Sequence, residues 1–186
     1  MACDDIRIET ERLILRPPQI EDFDAYAANM ADEQAARYIG GVQARSVAWR
    51  GMLQLAGAWP IQGFSMFSVI EKADNRWIGR LGPWHPEGWP GPEVGWALVR
   101  GAWGKGYAHE ACVAAIDWTF EHLDWTEMVH CIHPANHASQ ALARRLGSTR
   151  RGPCALPAPI GDEPCELWGQ TREQWLQHRA AMRAQT

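Results

Sequence analysis

Trp103-Gly104-Lys105-Gly106-Tyr107-Ala108-His109-Glu110-Ala111, WGKGYAHEA, places two glycines and a lysine directly ahead of a long amphipathic segment. Glycine lets a chain turn sharply and lets a ligand approach the backbone. From Gly106 to Leu123 the apolar positions Ala108, Ala111, Cys112, Ala115, Ile116, Thr119, Phe120 and Leu123 recur at helical spacing, with Glu110, Asp117 and Glu121 opposite. A glycine turn that opens into a helix gathers unbonded N–H groups and the positive end of the helix dipole, which together bind anions. The stretch is not a Walker loop, because Lys105 is followed by Gly106. It is not a GxGxxG fingerprint, because the third glycine is missing. Taken alone, it reads equally well as a phosphate cradle or as a turn that starts a helix.

Working outward, Glu93-Val94-Gly95-Trp96-Ala97-Leu98-Val99 reads as a strand leading into the turn. Upstream, Gly63–Lys72 and Arg76–Gly82 form a predicted hairpin about Ala73-Asp74-Asn75. Residues 6–16 alternate well enough for one strand, which Pro17-Pro18 ends. A helix capped by Asp22 or Glu21 is expected to run through about Met30, and another to lie between Ala44 and Ala58. Downstream come a short strand, EMVHCIH, and a helix capped by Asn136 that ends near Leu146-Gly147. Strands follow near Thr149–Cys154 and Cys165–Gln170, then a last helix over 172–184. Three strands before the central helix predict an α+β fold with one mixed, mostly antiparallel sheet flanked by helices, not a doubly wound βαβ fold.

The 186 residues suit one domain spanning 1–186, with no internal repeat. A net charge of −4 argues against nucleic acid and against an anionic membrane surface. No apolar run reaches the length of a membrane span, and the first residues, MACDDIRIETER, lack an apolar signal core, so a cytoplasmic protein is expected. The five cysteines, Cys3, Cys112, Cys131, Cys154 and Cys165, are scattered without CxxC spacing and read as reduced thiols. His133 and His137 have ligand-like spacing, yet no carboxylate or cysteine stands in register with them, and no metal site is expected. Of eleven tryptophans, five fall between Trp77 and Trp103. The loop PWHPEGWPGPE is too rich in Pro and Gly to be core, so Trp84, Trp89 and Trp96 are expected to wall an acceptor pocket.

WGKGYAHEA, the preceding EVGWALV and the later HPANHASQALARRLG together resemble the GNAT superfamily of acyl-CoA-dependent N-acetyltransferases, and ETERLILRP resembles its Rim-type, ribosomal-protein-alanine acetyltransferase-like branch. The resemblance runs from about Glu9 to about Gly147. It implies acetyl-CoA as co-substrate and no metal. It makes Trp103, Gly104, Lys105, Gly106, Tyr107 and Ala108 the pyrophosphate loop, with Trp103 where the family pattern has Arg or Gln. It also implies that Ala97, Leu98 and Val99 pair with the pantetheine arm, at splayed middle strands, and that the N–H of Ala97 polarises the thioester carbonyl. Asn136 and Ser139 match the family's N-x-x-S. A helix cap worth ~1 kcal/mol accounts for Asn136 equally well.

The implied reaction is direct transfer to a primary amine, on a protein N-terminus or a small molecule, by a monomer or homodimer. The amine must be neutral to attack. At pH 7 that costs about 1 kcal/mol for a peptide α-amine and over ~4 kcal/mol for lysine. Glu93 is the first candidate base, although a strand-end carboxylate paired with an arginine is an equal reading. Glu163, Glu166 and His85 are further candidates. The family's usual acid, a tyrosine in the helix after Asn136, is missing, since the tyrosines are Tyr26, Tyr38 and Tyr107. Ser139 stands in as donor to the leaving sulphur. A degenerate CoA-binding protein and an aminoglycoside-type enzyme are the alternatives. The latter needs an acidic pocket, which an aromatic loop does not supply.

Overall fold

The computed structural model describes residues 6–158, 160–161 and 163–184. Cys3 lies outside them. The expected first strand is two: β1 (Ile8–Glu9) and β2 (Leu13–Arg16) fold back on each other, pairing Ile8 with Leu15. The bend is fixed from elsewhere in the chain. Glu110 accepts hydrogen bonds from the Thr10 hydroxyl at 2.6 Å and the Arg12 N–H at 2.9 Å. Helices α1 (Phe23–Ala31) and α2 (Glu33–Ala36) follow, α2 being a single turn capped by the Asp32 carboxylate and not expected from the sequence. Helix α3 (Arg45–Gln62) outruns its expected end, with Pro60 inside it. A proline there removes one hydrogen bond from the last turns. Here Gly63, at φ 83°, stops the helix three residues later.

Strands β3 (Phe67–Glu71), β4 (Arg76–Trp84) and β5 (Glu93–Leu98) form the antiparallel run. A short 3-10 turn, Arg100–Ala102, leads to the glycine loop and to α4 (Tyr107–His122). Then come β6 (Glu127–Ile132), α5 (His137–Arg145), β7 (Thr149–Cys154), β8 (Cys165–Thr171) and α6 (Arg172–Arg183). They complete one eight-stranded sheet in the order β1-β2-β3-β4-β5-β6-β8-β7, antiparallel except for β5 and β6. The α+β architecture expected from the sequence is the one observed.

The buried row of α4, Ala111, Cys112, Ala115, Ile116 and Phe120, packs with Trp175 of α6 on one face of the sheet. Each large apolar side chain buried this way contributes ~1.5–3 kcal/mol. The other face carries Tyr26, Ala27 and Met30 of α1 with Ala48, Met52 and Leu55 of α3. Several tryptophans are core, among them Trp59 and Trp175, each 1% exposed. Among the described residues no helix is long and apolar enough to cross a membrane.

Candidate active site

The site begins where the sheet comes apart. Strands β5 and β6 share one register pair, Glu93 with Val129, and the N–H of Val129 reaches the carbonyl of Pro92 at 2.9 Å. A continuing parallel ladder would send the Cys131 N–H to the carbonyl of Val94. Instead that N–H goes to Glu93 Oε1 at 3.0 Å. The Val94 carbonyl is taken by His130 Nδ1 at 2.6 Å. Two side chains thus satisfy the ladder groups and wedge the strands apart. Beyond them the outer edge of β5 has no strand beside it.

Which β5 groups face that opening follows from alternation. The Val99 N–H bonds to Ile78 of β4. Ala97, two residues back and opposite Arg80, therefore also turns its backbone to β4. Trp96 and Leu98 turn theirs to the cleft, and the Leu98 carbonyl there accepts the Trp103 indole N–H at 2.9 Å. This corrects the expectation for Ala97 and Val99. Ala97 lines the cleft with its side chain only, and Val99 is bonded to β4.

Two cavities flank the opening. The larger, about 690 Å³, runs between β5, the glycine loop, and the starts of α4 and α5. Ala97, Leu98, Trp103, Gly104, Gly106, Ala108, Asn136 and Ser139 all line it. Gly104 and Gly106 have φ of 73° and 82°, left-handed values that favour glycine. A Cβ on Gly104 would meet nothing within 4 Å, so the loop's outer face is open. No side chain caps the N-terminus of α4, which leaves its first N–H groups free toward this cavity. Arg12 braces the loop from behind, bonding the Lys105 carbonyl at 3.0 Å and pairing with Glu110 at 2.6 Å. Two expected loop residues do not line the cavity. Lys105 points to solvent. Tyr107 is buried beneath Arg12 with its hydroxyl on Glu71, because position 107 falls on the inward face of the helix that Gly106 begins.

The second cavity, about 290 Å³, lies on the other side of the opening. Trp84, Trp89, Trp96 and Glu93 line it with Tyr26, Met66 and Arg80. The two cavities share Tyr38, Ile39, Trp96, Asn136 and Ser139. At that junction the Trp96 indole N–H donates to Ser139 Oγ at 3.1 Å, and Asn136 Oδ1 accepts the Ser139 N–H at 3.1 Å. Asn136 is therefore a helix cap that also borders both cavities. Trp96 leans on the His130 ring, 4.7 Å between centroids.

Glu93 is 6% exposed. Burial pushes its carboxyl up to about 7, against the opposing pull of the Cys131 N–H, the Trp89 indole and the charge of Arg80. The indole N–H of Trp89 donates to Oε2 at 2.5 Å. Among the described residues Glu93 forms no ion pair, so the arginine-paired reading does not hold. Burial holds His130 down near 4, so it is neutral, with Nε2 on the Ser148 hydroxyl at 2.9 Å. Glu163 is exposed and Glu166 is paired with Arg150 at 2.7 Å. His85 packs against Trp125 outside both cavities.

Three features escaped the sequence. Tyr38, between α2 and α3, borders both cavities and donates to the Ala135 carbonyl at 3.3 Å. Arg80 puts a cation into the smaller cavity. The sulphurs of Cys131, Cys154 and Cys165 lie within 4.8 Å of one another on neighbouring strands. Cys154 and Cys165 stand opposite in register with sulphurs 2.8 Å apart. Two thiolates sharing a zinc at ~2.3 Å would sit ~3.8 Å apart, so this geometry fits a thiol pair better than a metal nest. Hydrogen bonds from Cys131 and Cys154 pull the Cys165 thiol down. None of these groupings has a motif, because each joins residues far apart in the chain.

Comparison with known proteins bears on what this arrangement does. Residues 12–149 match the family described as Acetyltransferase (GNAT) domain. The chain is 31% identical over 146 residues to "Uncharacterized N-acetyltransferase p20" of Bacillus licheniformis, covering 77% of this chain and 82% of that one. The crystal structure of an acetyltransferase from Agrobacterium tumefaciens superposes with a TM-score of 0.79 at 31% identity, over 90% of this chain and 95% of that one. That of the ribosomal-protein-S5-alanine acetyltransferase from Vibrio fischeri superposes with a TM-score of 0.72 at 20% identity, over 92% and 99%, a likeness of fold.

Proposed function

This chain belongs to the GNAT acetyltransferase family, and on that premise we propose that it moves the acetyl group of acetyl-CoA directly to a primary amine. The observation that carries the reading is the meeting of two cavities at Trp96, Asn136 and Ser139, with Glu93 on the smaller side. The coenzyme would lie in the larger cavity. Its pyrophosphate would rest on the open glycines and the uncapped start of α4. Its pantetheine arm would run along the free edge of β5, where the Trp96 and Leu98 backbone groups take the place first expected of Ala97. The coenzyme supplies the activated thioester.

The acceptor amine enters from the Trp84, Trp89 and Trp96 side. Glu93, with a carboxyl near 7, takes the proton that the amine loses at neutral pH. The amine nitrogen attacks the thioester carbon, and the developing oxyanion is met by a β5 backbone N–H. The C–S bond then breaks, and the second proton lost by the nitrogen leaves with the sulphur, giving amide and free CoA thiol. Ser139 Oγ accepts from Trp96, so its own proton is free to bond the departing sulphur.

Membership of the Rim-type branch rests on ETERLILRP and on the fold-level likeness to the Vibrio fischeri enzyme. A cytoplasmic setting, which holds acetyl-CoA and keeps thiols reduced, belongs to the same reading. The test is release of free CoA thiol, with mass spectrometry of products, across a panel of peptides and small amines. Acetylated product from any of them supports the proposal. Saturable coenzyme binding without product from the panel would point to a degenerate CoA-binding protein.

A further inference from the structure

Resting on that reading, we propose that the acceptor is a small amine that also carries a carboxylate, an apolar α-amino acid in chemical class, and that Arg80 holds the carboxylate.

Arg80 and Glu93 are the charged ends of one cavity. In the β4–β5 register Arg80 pairs with Ala97, Gly82 with Gly95, and Trp84 with Glu93. Alternation puts Arg80, Trp84, Glu93 and Gly95 on one face. Along β4 the two charged positions are four residues apart, roughly 13 Å between backbones. Their long side chains narrow that gap, and the charge of Arg80 is felt at Glu93. Between them Met66 lies over Gly95, where a Cβ would come within 2.8 Å of its terminal methyl.

Arg80 lacks what other arginines of this chain possess. Arg12, Arg16, Arg76 and Arg150 each pair with a carboxylate. Among the described residues Arg80 has no such partner. Its Nη1 rests on the Met66 sulphur at 2.7 Å, its Cζ is 6.0 Å from the Tyr26 ring, and its Nε is buried with nothing to bond. A thioether is a weak acceptor and a flexible one, easily moved aside. A half-buried guanidinium with an unbonded N–H is costly unless an anion completes it. Glu93 is not that anion in the structure: its oxygens rest on the Cys131 N–H and the Trp89 indole, and among the described residues no ion pair joins it to Arg80.

The charge pattern selects the class. His130 is neutral, so once Glu93 takes a proton the cavity is positive. A polycation is repelled, which disfavours an aminoglycoside. An amino acid fits at both ends, with its carboxylate forked on Arg80 and its ammonium beside Glu93. Its side chain then meets Trp84, Trp89, Leu55 and Tyr26. No net charge is created: the ammonium proton passes to Glu93 and the neutral nitrogen attacks. Two-point attachment also fixes the amine for attack.

The experiment measures kcat/KM with acetyl-CoA for a panel of apolar L-amino acids, the matching amino acid amides and the decarboxylated amines. It uses wild type, R80K and R80Q. Binding of the amino acids to the CoA complex is followed by calorimetry, and melting controls for folding. The expected result is a preference for the free acid over its amide of roughly ten- to hundredfold, erased in R80Q and partly kept in R80K. Equal use of acid and amide, or a preference that survives R80Q, overturns the inference while leaving the acetyltransferase reading intact. Amino acids that bind through Arg80 but are not acetylated overturn the acceptor assignment, and transfer to another amine of the panel then leaves the acetyltransferase reading intact. No binding and no turnover of any amine removes both.

Discussion

Replacing Trp89 by phenylalanine keeps a ring in the pocket wall and removes one N–H. That N–H donates to Glu93 Oε2 and is one of the interactions holding the buried carboxyl down near 7. A hydrogen bond to a charged group contributes ~1.5–3 kcal/mol. At ~1.36 kcal/mol per pH unit, its loss raises Glu93 by roughly 1–2 units, to about 8–9. At pH 7 the ionised fraction falls from about half to roughly 1–10%. Acetyl transfer at pH 7 should then drop about 5- to 50-fold and recover as the pH is raised. The assay is kcat/KM for one acceptor from pH 6 to about 10 in both proteins. The acceptor's own amine titrates identically in both, so the displacement of the acid limb isolates Glu93. An acid limb that does not move in W89F, with coenzyme affinity intact, would refute the assignment of Glu93 as base.

Glu93 and His130 also oppose each other in stability. Glu93 is raised on folding, to about 7, so its contribution is greatest in acid and is lost as pH rises through 7. His130 is depressed, to about 4, so its contribution is present above the free imidazole value and is lost as pH falls toward 4. In E93Q the first effect is gone, and urea titrations should show about 2 kcal/mol more loss between pH 7 and pH 5 than in wild type. Ser139→Ala should lower kcat about fivefold, the loss of one hydrogen bond of ~1 kcal/mol, with acetyl-CoA affinity little changed. Isothermal titration and steady-state rates read the two separately. Oxidised glutathione should cross-link Cys154 to Cys165, whose thiol is the one pulled down, and leave Cys112 free, since burial pushes that thiol up. Peptide mapping under non-reducing conditions checks this.

What the sequence made legible was mostly what backbone dictates. Gly104 and Gly106 sit at left-handed φ because the loop needs it, and a glycine pattern shows in one-dimensional text. The period of α4 and the cap at Asn136 are local for the same reason. Trp89 could be placed at the pocket because its Pro- and Gly-rich loop cannot be core, whereas Trp84, expected in that loop, is the last residue of β4. The inward turn of the Tyr107 side chain and the pairing direction of Ala97 were not legible to within one step of rotation or alternation. Both depend on where a neighbouring element, α4 or β4, takes up its register. The wedge of Glu93 and His130, the unpaired Arg80, the junction residue Tyr38 and the thiol trio were not legible at all. Each exists only when strands or loops far apart in sequence converge.

The most direct test of the central claim is calorimetric titration of the protein with acetyl-CoA, beside a Gly106→Trp variant whose melting is checked. The account predicts saturable one-site binding to wild type, lost in the folded variant, because a large side chain at left-handed Gly106 is strained and pushes on Arg12, which braces the anion cradle. No binding to wild type at millimolar coenzyme, or equal binding to both proteins, would contradict the placement of the coenzyme in the cleft beside β5.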